Sequence, residues 1–375
     1  MKFVIDDKIP YIRGVLEPFA EIKYIRGSDI NRNDMCDTDG LIIRTRTQCN
    51  EKLLEGTGIK FIATATIGFD HIDKEYCHIA GIRWTNAPGC NSESVNQYIA
   101  SGLMHWAEET KTSLHGHTMG IIGVGNVGSK VARTAEILGM KVLLNDPPRA
   151  REEGQAGFVE LDQVLEEADI ISLHVPLNME GIDKTLHMAD NEFFTKWRDP
   201  NLFINTCRGE VMVTSSLKKN IDTGRIKNSI VDCWENEPQI DLELMHRCLI
   251  ATPHIAGYSR DGKANGTSQC VNAVSRFFKL GLGNWYPRKI EKPHFPVIIL
   301  NGTGMSEEKI LRSAIESTYV VAHDSMNLKS NPEGFEDLRG DYPVRREFKA
   351  FTIKCTNISI DIIDKLQRLG FQIEN

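Results

Sequence analysis

A glycine-rich turn between an apolar run and a helical pattern constrains the fold of this 375-residue chain more than any other segment. The turn follows the apolar residues 119–122 and precedes a stretch with apolar residues at 131, 135 and 138, the spacing of one helix face. It consists of Gly123, Val124, Gly125, Asn126, Val127 and Gly128. Glycines between a strand and a helix permit a tight turn and a close approach of the backbone to a pyrophosphate, which meets the unpaired N–H groups of the helix. The segment therefore predicts a dinucleotide-binding βαβ unit.

Asp146 supports this interpretation and indicates which dinucleotide is bound. It stands about twenty residues beyond the turn, after the apolar run 141–144. A carboxylate there accepts hydrogen bonds from the adenosine ribose and repels a 2′-phosphate, which favours NAD over NADP. The competing interpretation is a capping aspartate before a helix that begins at Pro147. Together the turn and Asp146 predict that the cofactor is NAD.

Apolar runs of strand length alternate with helical stretches along most of the chain, which favours right-handed βαβ units and doubly wound parallel sheets. The predicted strands are 2–6, 21–25, 40–44, 60–64, 119–123, 141–144, 169–173, 201–204, 229–232, 249–252, 297–300 and 351–354. The predicted longer helices are 92–109, 264–280, 306–321 and 360–369.

This pattern predicts an α/β protein with two Rossmann-like doubly wound domains and a small C-terminal α/β domain. The expected substrate domain combines residues 1–92 and 260–286, and an NAD-binding Rossmann domain, 93–259, is inserted into it. Residues 287–375 follow a charged, proline-bearing linker and form the third domain.

Composition disfavours nucleic-acid and membrane partners. The chain has 44 basic and 51 acidic residues, a formal net charge of -7, and no run of five or six like charges. It has no stretch of roughly 18 apolar residues and no signal-peptide pattern, so we expect a cytoplasmic location.

Cysteine and histidine spacing predicts free thiols and no metal site. The nine cysteines are scattered without a Cys-x-x-Cys pair, which fits a reducing compartment better than disulfides. His115 and His117 come closest to a ligand pair, but the sequence places no third ligand near them.

Three polar residues follow predicted strands of the nucleotide domain and match the chemistry of hydride transfer from a 2-hydroxy acid. His254 is a candidate base for the hydroxyl proton, since histidine titrates near neutral pH, and Glu237 can fix its tautomer and stabilise the imidazolium. Arg208 can hold a carboxylate through two parallel hydrogen bonds. Taken singly, each residue could equally be structural; their common position at strand ends favours one catalytic site.

At these residues the chain resembles the D-isomer-specific 2-hydroxyacid dehydrogenases. The segments that carry the resemblance are 87–91 (Ala-Pro-Gly-Cys-Asn), 234–238 (Trp-Glu-Asn-Glu-Pro) and 252–259 (Thr-Pro-His-Ile-Ala-Gly-Tyr-Ser). Segment 342–348 (Tyr-Pro-Val-Arg-Arg-Glu-Phe) further resembles the extra C-terminal domain of one branch of the family, which serves dimerisation. The resemblance covers essentially the whole chain and implies that Arg208, Glu237 and His254 are catalytic and that the protein is a homodimer.

The same branch implies the reaction and the remaining site residues. The implied reaction is the oxidation of 4-phospho-D-erythronate by NAD to 3-hydroxy-2-oxo-4-phosphooxybutanoate, in pyridoxal 5′-phosphate (vitamin B6) biosynthesis. The implied substrate contacts are Thr45, Thr66 and Tyr258. The implied cofactor contacts, besides the glycines, are Asn126, Val127, Asp146, Val175, Thr206, Asp232 and Gly257. Val175 stands where threonine is frequent and lacks a hydroxyl, so a contact there should come from the backbone.

The phosphate of such a substrate requires cationic partners. Arg44 and Arg46 flank Thr45 at the end of a predicted strand, although solvated surface arginines are an equally good interpretation of either one. Arg345 and Arg346 would reach the site only if the C-terminal domain, for instance that of a partner subunit, covers it.

Two other functions compete with this interpretation. Another D-2-hydroxyacid dehydrogenase, such as a 3-phosphoglycerate dehydrogenase, is disfavoured by the C-terminal segment and by the pair Gly257 and Tyr258. A non-catalytic, corepressor-like protein that senses NAD is disfavoured by the presence of all three chemical residues.

Overall fold

The computed structural model describes residues 1–374, which form two compact units. One unit consists of Met1–Asn91 and Ser259–Glu291, and the other consists of Ser92–Tyr258 together with the segment from Lys292 onwards. All three sheets are parallel and alternate with helices, which confirms the predicted α/β class.

The strands fall close to the predicted runs. They are β1 Lys2–Asp6, β2 Glu21–Ile25, β3 Gly40–Ile43, β4 Phe61–Thr64, β5 Arg83–Thr85, β6 Thr118–Ile122, β7 Lys141–Asn145, β8 Ile170–Leu173, β9 Leu202–Asn205, β10 Asn228–Val231, β11 Ile250–Ala251, β12 Val297–Asn301, β13 Thr352–Thr356 and β14 Gln372–Glu374. The central strands β3, β4, β8 and β9 are buried along their whole length. Burial on both faces of a parallel sheet explains why they read as continuous apolar runs.

The helices lie between and beyond these strands. They are α1 Glu51–Leu54, α2 Lys74–Ile79, α3 Ser92–Thr110, α4 Gly128–Ile137, α5 Pro147–Glu153, α6 Leu161–Glu167, α7 Asn191–Lys196, α8 Thr214–Asp222, α9 Leu242–Arg247, α10 Arg260–Phe278, α11 Glu307–Glu316, α12 Val321–Ser330, α13 Phe335–Gly340 and α14 Ile360–Leu369. Within residues 1–374, none of the helices combines the length and apolar character that crossing a bilayer requires.

The first unit is built on a five-stranded sheet in the order β2-β1-β3-β4-β5. Helix α10 returns to this sheet late in the chain and brings an aromatic cluster onto it. Phe277 stacks on Phe61 with ring centroids 4.6 Å apart, and Phe278 meets Phe3 edge-on at 5.1 Å. Aromatic contacts of this kind add to the stabilisation from apolar burial, so residues 260–278 are part of the first core.

The second unit contains the nucleotide sheet, in the order β11-β10-β9-β8-β6-β7. From β6 the chain adds β7 on one side of the sheet and then β8 to β11 on the other side. The crevice beyond the carboxyl ends of β6 and β8 is therefore a topological switch point. The glycine turn follows β6 directly, and Val175 lies just beyond β8. Ligands of open α/β sheets bind at such a crevice, so the fold places the predicted cofactor residues where a dinucleotide is expected.

The C-terminal segment forms a three-stranded sheet in the order β12-β13-β14. Its apolar residues belong to the same core as α3 and α4: Ile353 and Leu366 are fully buried in one cluster with Leu103 and Val131. The predicted three-domain division, 1–92 with 260–286, 93–259 and 287–375, stays a prediction. What the structure shows is that this segment packs on the nucleotide domain of its own chain.

One element was predicted wrongly. The helix expected over 306–321 ends early: α11 ends at Glu316, and a second helix that was not predicted, α12, begins at Val321 after residues 317–320. Ser101 on α3 stabilises the break, since its hydroxyl donates to the Tyr319 carbonyl at 3.0 Å and accepts from the Val321 N–H at 3.0 Å. Buried residues of one core continue through the break at Ile315, Tyr319 and Val321, so periodicity alone could not reveal it.

Candidate active site

The glycine turn has the shape that a pyrophosphate site needs. Gly123 has φ 88°, and a Cβ atom there would lie 2.7 Å from the His174 carbonyl. A Cβ atom at Gly128 would lie 2.0 Å from the Gly123 carbonyl oxygen, so this residue allows α4 to start close against the strand. Gly125 is exposed, and a Cβ atom there would meet only open space. The first and third glycines are therefore required by packing, whereas the middle one leaves room for a ligand.

Asp146 caps α5, as the competing interpretation of this residue predicted. One carboxylate oxygen accepts from the Arg149 N–H at 3.1 Å and caps α5, and the other accepts from the Val124 N–H in the glycine turn at 2.8 Å. Asp146 thus links the end of β7 to the turn that follows β6, at the cofactor crevice. The ribose contact itself stays a prediction.

Three further predicted cofactor residues lie at the carboxyl ends of the same sheet. Thr206 follows β9, and its buried hydroxyl has no hydrogen-bond partner among residues 1–374. Val175 follows β8 and packs against the glycine turn, within 2.9 Å of where a Cβ on Gly123 would be. Gly257 lies three residues beyond His254. An orphaned buried hydroxyl is costly, so Thr206 fits a position that a ligand completes.

Asp232 has a structural role that the sequence did not reveal. It lies at the end of β10 with only 1% exposure, and its carboxylate accepts from the Thr252 hydroxyl at 2.6 Å. It also accepts from the N–H groups of Ile255 at 2.8 Å and Ala256 at 2.9 Å. Burial raises the pKa of Asp232, and these donors partly oppose the rise. The carboxylate therefore fixes the segment that carries His254; a cofactor contact of Asp232 stays a prediction.

His254 and Glu237 form a hydrogen-bonded pair, as the sequence predicted. The Nδ1 atom of His254 lies 2.8 Å from one carboxylate oxygen of Glu237 and 3.1 Å from the other, and the Trp234 N–H donates to the carboxylate at 2.9 Å. Burial alone would raise the pKa of Glu237, but His254, the Trp234 N–H and Arg339 outweigh it and lower this pKa below its usual value. Glu237 is thus an ionised orienting partner for the imidazole.

Arg208 lies on the loop after β9, packed against the loop that carries Glu237. The side-chain amide of Asn205 joins the two loops, donating to the carbonyls of Arg208 at 3.0 Å and Cys233 at 3.3 Å. Gly209 allows the close approach, because a Cβ atom there would lie 1.9 Å from the Trp234 carbonyl. Arg208, Glu237 and His254 therefore lie on adjacent loops at the carboxyl ends of β9, β10 and β11.

Two arginines of the C-terminal segment also reach this region. The sequence allowed this for Arg345 only if the C-terminal domain covered the site, and it did not single out Arg339. Arg345 is buried and donates to the carbonyls of Ala256, Ile255 and, at 3.0 Å, Ser94. The Arg339 guanidinium lies 6.0 Å from the centre of the Tyr258 ring. The contacts of Arg345 span 89 to 251 residues of sequence, so no local pattern could signal them. Arg345 therefore stabilises the segment of its own chain that carries His254.

The remaining predicted substrate residues lie in the first unit. Thr45 and Arg46 are exposed just beyond β3, and Arg44 lies 3.5 Å from the buried carboxylate of Asp6. The Thr66 hydroxyl donates to the Gly68 carbonyl at 2.8 Å. Their contacts with substrate stay predictions.

A thiol, that of Cys233, lies beside the two residues that offer acid–base chemistry. Cys233, Glu237 and His254 each present a ligand atom, and these atoms all lie within 4.8 Å of one another. His115 and His117, which come closest to a metal-ligand pair in the sequence, are not part of this cluster, and His117 is hydrogen-bonded to Asp169 at 2.8 Å. The cluster was missed because its members come from two separate loops.

Comparison with known proteins identifies the family of this chain. Residues 91–256 match the family described as D-isomer specific 2-hydroxyacid dehydrogenase, NAD binding domain, and residues 291–370 match a domain of unknown function, DUF3410. The chain is 52% identical to erythronate-4-phosphate dehydrogenase of Bacteroides thetaiotaomicron, over 94% of this chain and 99% of that protein. The corresponding enzyme of Escherichia fergusonii is 37% identical over 99% of this chain and 98% of its own. This chain belongs to the erythronate-4-phosphate dehydrogenase family.

Two solved structures of NAD-bound dehydrogenases share the fold of about three quarters of this chain. A D-lactate dehydrogenase from Aquifex aeolicus, complexed with NAD and lactic acid, matches with a TM-score of 0.64 and 28% identity, over 75% of this chain and 96% of that one. The NAD-bound 3-phosphoglycerate dehydrogenase of Entamoeba histolytica matches with a TM-score of 0.63 and 26% identity, over 78% and 99% of the two chains. The predicted NAD cofactor is therefore confirmed at the level of the family's NAD-binding domain.

Proposed function

We propose that this chain is an NAD-dependent oxidoreductase that converts 4-phospho-D-erythronate to 3-hydroxy-2-oxo-4-phosphooxybutanoate in vitamin B6 biosynthesis. The observation that carries the proposal is the His254–Glu237 pair, at 2.8 Å, on the strand-end edge that also bears the glycine turn. Relatives that bear the erythronate-4-phosphate dehydrogenase name over nearly their whole length support the choice of substrate.

The residues of the cofactor crevice fit NAD. The open space at Gly125 and the orphaned hydroxyl of Thr206 are the features that a bound dinucleotide would use, and Asp146 lies where an adenosine ribose is expected. NAD, when bound, accepts the hydride from carbon 2 of the substrate.

His254 supplies the proton chemistry. Its Nδ1 atom faces Glu237, so Nε2 is the ring nitrogen that receives the hydroxyl proton as the carbonyl forms. Glu237, held ionised by its surroundings, stabilises the imidazolium and keeps the ring in the correct tautomer. The pair works in reverse for reduction, with the imidazolium as the acid.

Arg208 orients the substrate through its carboxylate. Two parallel hydrogen bonds from a guanidinium fix a carboxylate in one plane, which a lysine cannot do. With a base for the proton and a cation for the carboxylate, no step in this scheme calls on a metal ion, and we propose that the reaction uses none.

The finer assignments belong to the same proposal. We assign Thr45, Thr66 and Tyr258 to substrate binding and Arg44 and Arg46 to the phosphate. We further propose a homodimer that forms through the C-terminal segment, in a reducing, cytoplasmic compartment in which the nine free thiols persist. Sedimentation of the full chain tests the dimer, and a monomer at micromolar concentration would contradict it.

A side-by-side substrate assay tests the function. The purified chain is given NAD with 4-phospho-D-erythronate, 3-phosphoglycerate or D-lactate, and kcat/KM is measured from the absorbance of NADH. We expect the four-carbon phosphorylated acid to be preferred, and His254→Ala to abolish turnover while NAD binding persists. Preference for 3-phosphoglycerate or lactate would overturn the substrate assignment, and parent-like turnover of the variant would overturn the role of His254.

A further inference from the structure

A buried thiol adjoins the catalytic pair, and the mechanism does not use it. Cys233 follows Asp232 at the end of β10, and its side chain is fully buried. Its sulfur, a carboxylate oxygen of Glu237 and a ring nitrogen of His254 lie within 4.8 Å of one another. We propose that these three residues form an inhibitory site for a thiophilic divalent cation, for which Zn²⁺ is the probe.

The geometry is close to that of a three-ligand zinc site. Zinc lies about 2.3 Å from sulfur and about 2.0 to 2.2 Å from nitrogen or oxygen, so tetrahedral ligand atoms stand roughly 3.3 to 3.7 Å apart. The separations that involve the sulfur are at most 4.8 Å, which is up to about 1.5 Å longer than this, whereas the 2.8 Å between Glu237 and His254 must lengthen. Small side-chain rotations suffice, with water as the fourth ligand.

Access and charge favour a cation. The side chain of His254 is 31% exposed and that of Glu237 is 20% exposed, so two of the three ligands are partly open to solvent, whereas the thiol is buried. Burial, with Asp232 and Glu237 nearby, raises the pKa of Cys233 well above its usual value. The thiol is therefore protonated in the free protein. The charged or titratable groups around it are Asp232, Glu237, Cys207 and Arg208.

Binding follows a balanced exchange. A zinc–sulfur bond forms as the sulfur–hydrogen bond breaks, and that proton leaves to solvent. A zinc–nitrogen bond forms at Nδ1 of His254 as the Nδ1 proton moves to Nε2, with no oxidation or reduction. The cation also replaces the hydrogen bond between His254 and Glu237, and a metal-bound imidazole cannot accept the hydroxyl proton. Occupancy therefore stops turnover reversibly. This consequence rests on the proposed function, whereas cation binding itself does not.

Inhibition by Zn²⁺ tests the consequence. Initial rates of the full chain are measured over a series of buffered free Zn²⁺ concentrations, in the parent, Cys233→Val, Cys233→Ser and the control Cys36→Ser, whose thiol is exposed elsewhere. We expect micromolar inhibition of the parent and of Cys36→Ser that a chelator reverses, and at least a 100-fold higher inhibitory concentration in both Cys233 variants. Equal inhibition of parent and Cys233 variants would overturn the proposal.

Cobalt binding tests the site without any turnover. Co²⁺ bound by a thiolate absorbs light by sulfur-to-metal charge transfer, so this band should appear in the parent and in Cys36→Ser and be absent from Cys233→Val. The serine variant serves in place of the valine variant if thermal unfolding shows that the latter does not fold. No band in the parent, or an undiminished band in the folded Cys233 variant, would refute the site even if the substrate assignment were correct.

Discussion

Replacement of Gly209 by alanine should damage catalysis by separating two catalytic loops. Gly209 follows Arg208, and a Cβ atom there would lie 1.9 Å from the carbonyl carbon and oxygen of Trp234 and 2.4 Å from the Glu235 nitrogen. Ordinary contact begins at 3.4 Å, so the two backbones must part by about 1.5 Å. Every atom in the way is backbone, and no side-chain rotation can relieve the clash.

The size of the effect follows from this displacement. A misplacement of about 1 Å in an active site can lower the rate by roughly 100-fold, which corresponds to about 2.7 kcal/mol of transition-state stabilisation. We therefore expect kcat/KM of Gly209→Ala to fall by at least about 100-fold, because Arg208 and Glu237 lie on opposite sides of the contact. Overpacking should also lower the free energy of unfolding by about 1 to 3 kcal/mol.

The assay separates the loss of activity from unfolding. NADH formation is followed for the variant below its melting temperature, beside thermal unfolding. Gly340→Ala is the matched control in the same unit, since a Cβ atom at Gly340 meets nothing within 4 Å. A folded Gly209→Ala protein with the kcat/KM of the parent would refute the claim that this contact sets the relative position of the two loops.

Four further changes have worked-out directions. Glu237→Gln should lower kcat by about 10- to 100-fold, because the imidazolium of His254 loses its anionic partner; a kcat equal to that of the parent would contradict this. Arg339→Gln should raise the pKa of Glu237, since a cation that lowers it is removed, so the acid-side loss of kcat/KM should occur at higher pH than in the parent, and Arg339→Lys should restore it; identical pH profiles of all three proteins would refute the coupling. Asp146→Ala should lower the preference for NAD over NADP and cost about 1 kcal/mol of unfolding free energy through the lost helix cap, and an unchanged cofactor ratio would remove its specificity role. Arg46→Gln should raise KM for the phosphorylated substrate with little change in melting temperature, and an equal effect on an unphosphorylated acid would argue against a phosphate contact.

The sequence predicts the interior of the sheets better than their edges. Runs such as 202–205 are buried on both faces and read as strands without ambiguity. The strands β5 and β14 were not predicted. Each is a three-residue edge strand with exposed positions, so no burial imposes an apolar pattern on it.

The candidate site likewise has a part that local sequence predicts and a part that depends on contacts between distant loops. The identities of Arg208, Glu237 and His254 are local and could be read from chemistry and spacing. The support of that set is not local, since the carboxylate of Asp232 reaches 24 residues to Ala256. Hydrogen bonds to backbone leave no side-chain signature at their partner positions, so sequence alone could not assign them.

The backbone at His254 explains why so much of the surrounding structure is devoted to one short segment. His254 has φ 55°, in the left-handed region, which costs a residue other than glycine about 1 to 3 kcal/mol unless its surroundings enforce it. Its N–H donates to the Asp232 carbonyl at 2.9 Å, the Asp232 carboxylate takes the next two N–H groups, and Arg345 takes the carbonyls of Ile255 and Ala256. Hydrogen bonds to charged groups contribute roughly 1.5 to 3 kcal/mol each, enough to hold the strained conformation from both sides. Glycine would adopt this conformation without strain, so a histidine held there against its preference is best explained by a requirement for the imidazole itself.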